Sequence, residues 1–131
     1  MKKEKILVIE DEMIISEHIT EMLQELGYEN ITCAHSAEKA TALLSKNAYS
    51  VILADIHLGK GPDVIDVINN TKLKKKTPVI FLTGRSNQTI IEKARTTMPV
   101  AFITKPITQT NLRVQMEMFT GGKKKQEGGK V

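Results

Sequence analysis

Four apolar tetrads recur along the chain: Ile6-Leu7-Val8-Ile9, Val51-Ile52-Leu53-Ala54, Val79-Ile80-Phe81-Leu82 and Val100-Ala101-Phe102-Ile103. Short unbroken apolar runs rich in β-branched residues suit strands buried on both faces, because side chains of neither direction meet water. A fifth candidate, Ile31-Thr32-Cys33-Ala34, has the mixed polarity of a sheet edge. The runs start at 6, 31, 51, 79 and 100, so successive starts lie 25, 20, 28 and 21 residues apart. A hairpin needs only a short turn, whereas gaps of this length hold a helix and return the next strand parallel to the last.

The intervening segments carry helical patterning. From Met13 to Leu26, Ile15, Ile19, Met22, Leu23 and Leu26 fall on one stripe, and Gly27 follows where a helix ends. Ser36 is placed to cap a second helix carrying Ala40, Leu43 and Leu44. Gly61-Pro62-Asp63 predicts the start of a third, with Pro62 at the first helical position and Asp63 in the first turn. Its inward residues are Val64, Ile65, Val67 and Ile68. A fourth, with Ile90, Ile91 and Ala94, is short and weakly apolar. Thr108 caps a fifth carrying Leu112, Met116 and Phe119. The expectation is an α/β fold of (βα)5 type, a doubly wound five-stranded parallel sheet with helices on both faces. Periodicity alone leaves the strand order open.

Length and charge narrow the function classes. A chain of 131 residues is one domain in size. Residues 1–120 are expected to form it, and 121–131 a flexible basic tail or truncated linker. Of the net charge of +4, the tail supplies +3, from Lys123, Lys124, Lys125 and Lys130 against Glu127. The body is thus close to neutral. Its one basic cluster, Lys72, Lys74, Lys75 and Lys76, precedes Thr77-Pro78, where a helix-to-strand loop belongs. With three phenylalanines, two tyrosines and no tryptophan, the domain has little for bases to stack on, so no direct nucleic-acid binding is expected. No run is long enough to span a bilayer. Met1-Lys2-Lys3-Glu4-Lys5 leads through one short apolar run into Glu10-Asp11-Glu12, which is not a secretory signal. A single cysteine, Cys33, has no internal partner and fits a reducing, cytoplasmic setting.

In open α/β sheets, sites form beyond the carboxyl ends of the strands. The residues to weigh are therefore Glu10-Asp11-Glu12, Asp55, Thr83-Gly84 and Thr104-Lys105-Pro106. Carboxylates from Glu10, Asp11 and Asp55 on one rim would repel by about 4 kcal/mol per pair at ~4 Å and an effective dielectric near 20. Such a cluster takes up protons, recruits a cation or spreads apart. All-oxygen ligands with room for water suit Mg²⁺. Lys105 adds a point charge and Thr83 a hydroxyl. Together they are what phosphoryl transfer to a carboxylate needs, with Asp55 as nucleophile.

With those residues in place, the body from Ile6 to about Phe119 resembles the receiver domain of two-component response regulators. The matching segments are Ile6 to Glu12, Leu53-Ala54-Asp55-Ile56, Leu82-Thr83-Gly84 and Lys105-Pro106. The resemblance implies the flavodoxin-like strand order 2-1-3-4-5. It implies Asp55 as phosphoacceptor and Asp11 as the direct metal-binding acid, with Glu10 a more water-mediated neighbour. It makes the His57 backbone carbonyl the third protein ligand of Mg²⁺. Thr83 is the implied switch hydroxyl, Lys105 its partner at the phosphoryl group, Pro106 a cis-proline and Phe102 the aromatic switch position. His57 and Arg85 then stand where side chains affect access of water to the acyl phosphate. The implied partners are a sensor histidine kinase or phosphotransfer protein, and a downstream protein or an output domain absent from these residues. A homodimer is a further implication. The loop Leu58-Gly59-Lys60-Gly61-Pro62-Asp63-Val64 departs from the family pattern, with its proline displaced and Val64 where glycine is frequent.

Plainer readings stand beside these. Asp55 could simply cap a strand end, Glu10 could be a first-turn acid, and Phe102 could be core. His18 and His35 read as surface residues. The functional reading is a phosphorylation-dependent switch that changes the face formed by the fourth helix, fifth strand and fifth helix, at most promoting its own phosphorylation and autodephosphorylation. The alternative is a pseudo-receiver, the same fold used as a protein-interaction module without phosphorylation. A phosphatase with an aspartyl intermediate is disfavoured, since its usual second Asp is His57 here. Flavin binding is disfavoured by the charged rim.

Overall fold

The apolar runs do form the strands. The computed structural model describes residues 2–57, 63–71, 77–84 and 88–120. The loop 58–62, the lysine cluster at 72–76, Arg85 and residues 121–131 lie outside the described residues. Among the described residues the chain runs β1 (Lys2–Ile9), α1 (Met13–Glu25), β2 (Tyr28–Ala34), α2 (Ala37–Lys46), β3 (Val51–Asp55) and α3 (Val64–Asn70). It continues through β4 (Val79–Thr83), α4 (Gln88–Ala94), a 3₁₀ turn (Arg95–Thr97), β5 (Ala101–Thr104) and α5 (Gln109–Phe119). All pairings are parallel, and the sheet order is β2-β1-β3-β4-β5.

Alternate residues of each central strand feed two separate cores. Ile6, Val8, Val51, Leu53, Ile80 and Leu82 pack under Ile19 and Leu23 of α1 and Leu112 and Met116 of α5. Leu7, Ile9, Ile52, Ala54 and Phe81 pack instead under Ala40 and Leu44 of α2, four apolar residues of α3 and Ala94 of α4. Every residue of β3 and β4 is buried, as strands covered on both faces must be. At the β2 edge, Glu29 and Asn30 are exposed and Ile31 to Cys33 half-buried. Among the described residues, no helix is long and apolar enough to cross a membrane.

The helix ends follow local chemistry. Ser36 Oγ accepts the Lys39 amide at 3.1 Å, and Thr108 Oγ1 accepts that of Asn111 at 3.1 Å. Each satisfies an amide that the first turn leaves without a partner. Ser36→Ala or Thr108→Ala should therefore lower stability by about 1 kcal/mol, and Ser36→Gly by only a few tenths, in urea unfolding. Gly27 ends α1 with φ 101°, a conformation that disfavours side chains, and its amide donates to Gln24 O at 2.9 Å.

Three expectations need correction. α3 begins at Val64 with Asp63 as its cap, Oδ1 accepting the Ile65 amide at 2.7 Å. Asp63 is thus the cap and not a first-turn residue, because its acceptor side chain fixes the helix start, and Pro62 lies outside the described residues. β5 runs one residue later than its tetrad. Val100 is 39% exposed, and Ala101 and Phe102 are only half-buried. Among the described residues this strand pairs with β4 alone, so it is an edge and not a doubly covered strand. β2 begins at Tyr28, three residues earlier than its apolar run, and buries the Tyr28 ring while its hydroxyl meets Thr120 Oγ1 at 3.0 Å.

Candidate functional site

Parallel register carries the strand ends to one rim. Ile9 lies opposite Ala54, Asp55 opposite Leu82 and Thr83 opposite Thr104. The ladder continues past the strands: Glu10 N donates to Ala34 O at 3.0 Å, Ile56 N to Leu82 O at 3.0 Å, and Lys105 N to Thr83 O at 2.7 Å. Glu10 and Lys105 are thus held by backbone hydrogen bonds, and Asp55 and Thr83 are the last residues of their strands.

Three acids and one lysine meet there. Carboxylate oxygens of Glu10, Asp11 and Asp55 lie within 4.8 Å of one another. Lys105 Nζ stands 3.3 Å from Asp55 Oδ2 and 3.6 Å from Glu10 Oε1. Asp55 Oδ1 accepts the His57 amide at 3.1 Å, and Glu10 Oε2 accepts the Glu12 amide at 3.1 Å. Glu10 is 1% exposed and Asp55 5%, whereas Asp11 opens to solvent. Thr83 is buried at the end of β4, one residue beyond the strand partner of Asp55.

This arrangement has an unbalanced charge. Among the described residues a single ammonium faces three carboxylates, so two negative charges remain when all are ionised. Burial pushes the Glu10 carboxyl up to about 7, the neighbouring Asp55 adds to the rise, and Lys105 offsets part of it. Among the described residues, Glu10 Oε1 is buried with no hydrogen-bond donor. A buried acceptor without a donor, beside two more carboxylates, fits a hard cation bound through oxygen. The residues present therefore fit Mg²⁺.

The other predicted positions fall close by. The Lys105–Pro106 peptide bond is cis. His57 is exposed, with its amide committed to Asp55. Phe102 is half-buried and stacks on Phe81 with ring centroids 5.9 Å apart and planes 27° apart, toward the core under α4. His35 differs from the surface reading: it is half-buried, and its Nε2 lies 3.1 Å from the hydroxyl of buried Ser16. Sequence reasoning also missed that Lys105 faces Glu10 as well as Asp55. The signal lay in the spacing, since β1 and β3 are neighbours and their ends share one lysine.

Comparison with known proteins agrees with this geometry. A model described as the response regulator receiver domain matches residues 6–117. The transcriptional regulatory protein PdtaR of Mycobacterium tuberculosis is 28% identical over 114 residues, covering 87% of this chain and 55% of its own. The chain thus spans about half the length of that relative. A probable chemotaxis protein CheY of Rhizobium etli is 21% identical over 125 residues, covering 94% and 97% of the two chains. The receiver domain of the sensor histidine kinase PA1611 from Pseudomonas aeruginosa, solved with magnesium in its active-site cleft, superposes with TM-score 0.79. It is 23% identical, covers 92% of this chain and 99% of its own, and shows the shared fold. Receiver domains of this kind are signalling modules rather than true enzymes, and they work with histidine kinases or phosphotransfer proteins and with output domains. A family match across the whole sheet, with the acids, threonine and lysine at the strand ends, places this chain among the response regulator receiver domains of two-component systems.

Proposed function

We propose that this receiver is a phosphorylation-dependent switch in which Asp55 is the phosphoacceptor. The observation that carries the reading is Lys105 Nζ at 3.3 Å from Asp55 within a cluster of three acids. A carboxylate oxygen of Asp55 attacks the phosphorus of a phosphohistidine on a histidine kinase or phosphotransfer protein. An O–P bond forms, the P–N bond breaks, and the imidazole departs with its electron pair. Glu10, Asp11, Asp55 and the His57 carbonyl would hold Mg²⁺. When bound, that ion offsets negative charge on the phosphoryl oxygens. Lys105 then pairs with the phosphoryl group, and the Thr83 hydroxyl donates to it. Drawing Thr83 inward biases the α4-β5-α5 face, with Phe102 following, and a coupling of about 1–3 kcal/mol is enough. Residues 1–120 form the switch in this reading, and a downstream protein or an output domain receives its signal. The cytoplasm is the expected compartment, and a homodimer is one form the switched state can take.

Incubation with Mg²⁺ and acetyl phosphate tests this directly. The wild type should gain the mass of one phosphoryl group, and Asp55→Asn should gain none. A chelator should abolish the gain, and donor turnover should stay limited to slow autohydrolysis. An unlabelled wild type would support the pseudo-receiver instead, and rapid multiple turnover a phosphatase.

A further inference from the structure

The α3–α4 boundary is held differently from the rest of the molecule. α1, α2, α3 and α5 each bury two or more side chains, but α4 buries only Ala94. Ile90 and Ile91 remain partly exposed. Ile90 packs against the edge of the core that buries Ala94, and polar groups join the helix to α3. Lys93 Nζ lies 3.0 Å from Asp63 Oδ2 and 3.7 Å from Asp66 Oδ1. Asn69 Nδ2 donates to Thr96 Oγ1 at 3.0 Å. Asp63, Asp66 and Asn69 are spaced by three, which sets them along one stripe of α3 opposite its apolar face. Hydrogen bonding and charge from Asp63, with a smaller contribution from Asp66, hold the Lys93 ammonium above its ordinary pKa.

One carboxylate does two tasks in this seam. Asp63 Oδ1 caps α3 while its Oδ2 takes Lys93. The segments joined are those that leave β3 after Asp55 and β4 after Thr83. A motion of Thr83 that carries α4 must therefore slide or break a contact made of exposed charges. Such a contact is weak, orientation-dependent and screened by salt, where a packed apolar face is none of these.

We propose that Lys93, gripped by Asp63 and Asp66, is a latch that holds α4 against α3 in the unphosphorylated protein. Its strength sets how readily the domain switches. The second clause rests on the phosphorylation reading above; the first does not.

Lys93→Met keeps the aliphatic stem and removes the charge, and Asp63→Asn removes the charge while retaining a good helix cap. Hydrogen exchange of the 88–97 amides, without phosphoryl donor, should quicken roughly two- to fivefold in either variant. The double variant should exchange no faster than Lys93→Met, which already removes both carboxylate contacts. High salt should speed the wild type but not the variants. Unchanged exchange, or additive effects in the double variant, overturns the latch. Acetyl phosphate labelling of Lys93→Met should then proceed faster than in the wild type. Faster exchange with unchanged labelling overturns the role in switching. A wild type that takes no phosphoryl group overturns the phosphorylation reading while the exchange result still decides the latch.

Discussion

Lys105→Met is expected to destabilise the metal-free protein by about 2–3 kcal/mol at about pH 8, while Asp55→Asn is expected to stabilise it or leave it unchanged. Both substitutions break the same 3.3 Å ion pair. If that pair were simply a favourable contact, removing either partner would cost stability. The surroundings make the two ends unequal. Among the described residues Lys105 is the one cation facing both Glu10 and Asp55, and those acids are nearly closed to solvent, with side chains 1% and 7% exposed. Without the ammonium, two buried carboxylates face each other and Asp11 with no other cation among the described residues to offset them. Breaking a fully buried pair in this way costs about 3–5 kcal/mol. The Lys105 side chain is 26% exposed, so water partly compensates and the cost falls below that range. Removing the Asp55 charge instead relieves repulsion inside the cluster, and Lys105 still has Glu10 at 3.6 Å. Urea unfolding with a chelator present measures both. Equal losses in the two variants would mean that the ion pair, and not the excess of acids, governs stability here. The Lys105→Met deficit should also shrink toward about pH 5, where Glu10 holds a proton.

The features legible in the sequence were those fixed by burial on both sides. Ile6 to Ile9, Val51 to Ala54 and Val79 to Leu82 are apolar throughout because β1, β3 and β4 have neighbours in the sheet and helices above and below. Their ends located Glu10, Asp55 and Thr83, since a parallel sheet aligns its carboxyl termini at one rim. Edges were harder. Tyr28-Glu29-Asn30 carries no alternation to mark it as strand, and Tyr28 is buried through a helix end 92 residues away, at Thr120. Val100 looks as apolar as its neighbours, yet among the described residues no strand lies on the far side of β5. Adjacent acids were indistinguishable as letters, but Glu10 is buried and Asp11 exposed because successive residues leaving a strand point to opposite sides. Surface pairings such as Lys93 with Asp63, 30 residues apart, depend on how two helices are rotated, which no local pattern encodes.

Glu10 makes the metal-free protein pH-sensitive, and the sign can be derived. Its carboxyl is raised from 4.5 to about 7, first by burial and then by Asp55. Between those values the folded chain binds a proton that the unfolded chain has released. Stability is then greatest below about 4.5 for this group and falls as pH rises to about 7, flattening above. The loss is on the order of 3 kcal/mol, the free-energy equivalent of the shift. Mg²⁺ should reverse the trend, because the ion competes with the proton for the same oxygens. Its apparent affinity should fall roughly tenfold per pH unit below about 7, and the thermal stabilisation it gives should be large at about pH 8 and small at about pH 5. Glu10→Gln isolates the contribution. The difference in unfolding free energy between wild type and variant, without metal, should change with pH across this window and stay level above it. The variant should be the more stable protein at about pH 8, since a neutral amide replaces a buried carboxylate, and should gain less from Mg²⁺. A difference that stays constant from pH 4.5 to about 7 would falsify the assignment of Glu10 as the group that titrates, and would move the charge imbalance to Asp11 and Asp55.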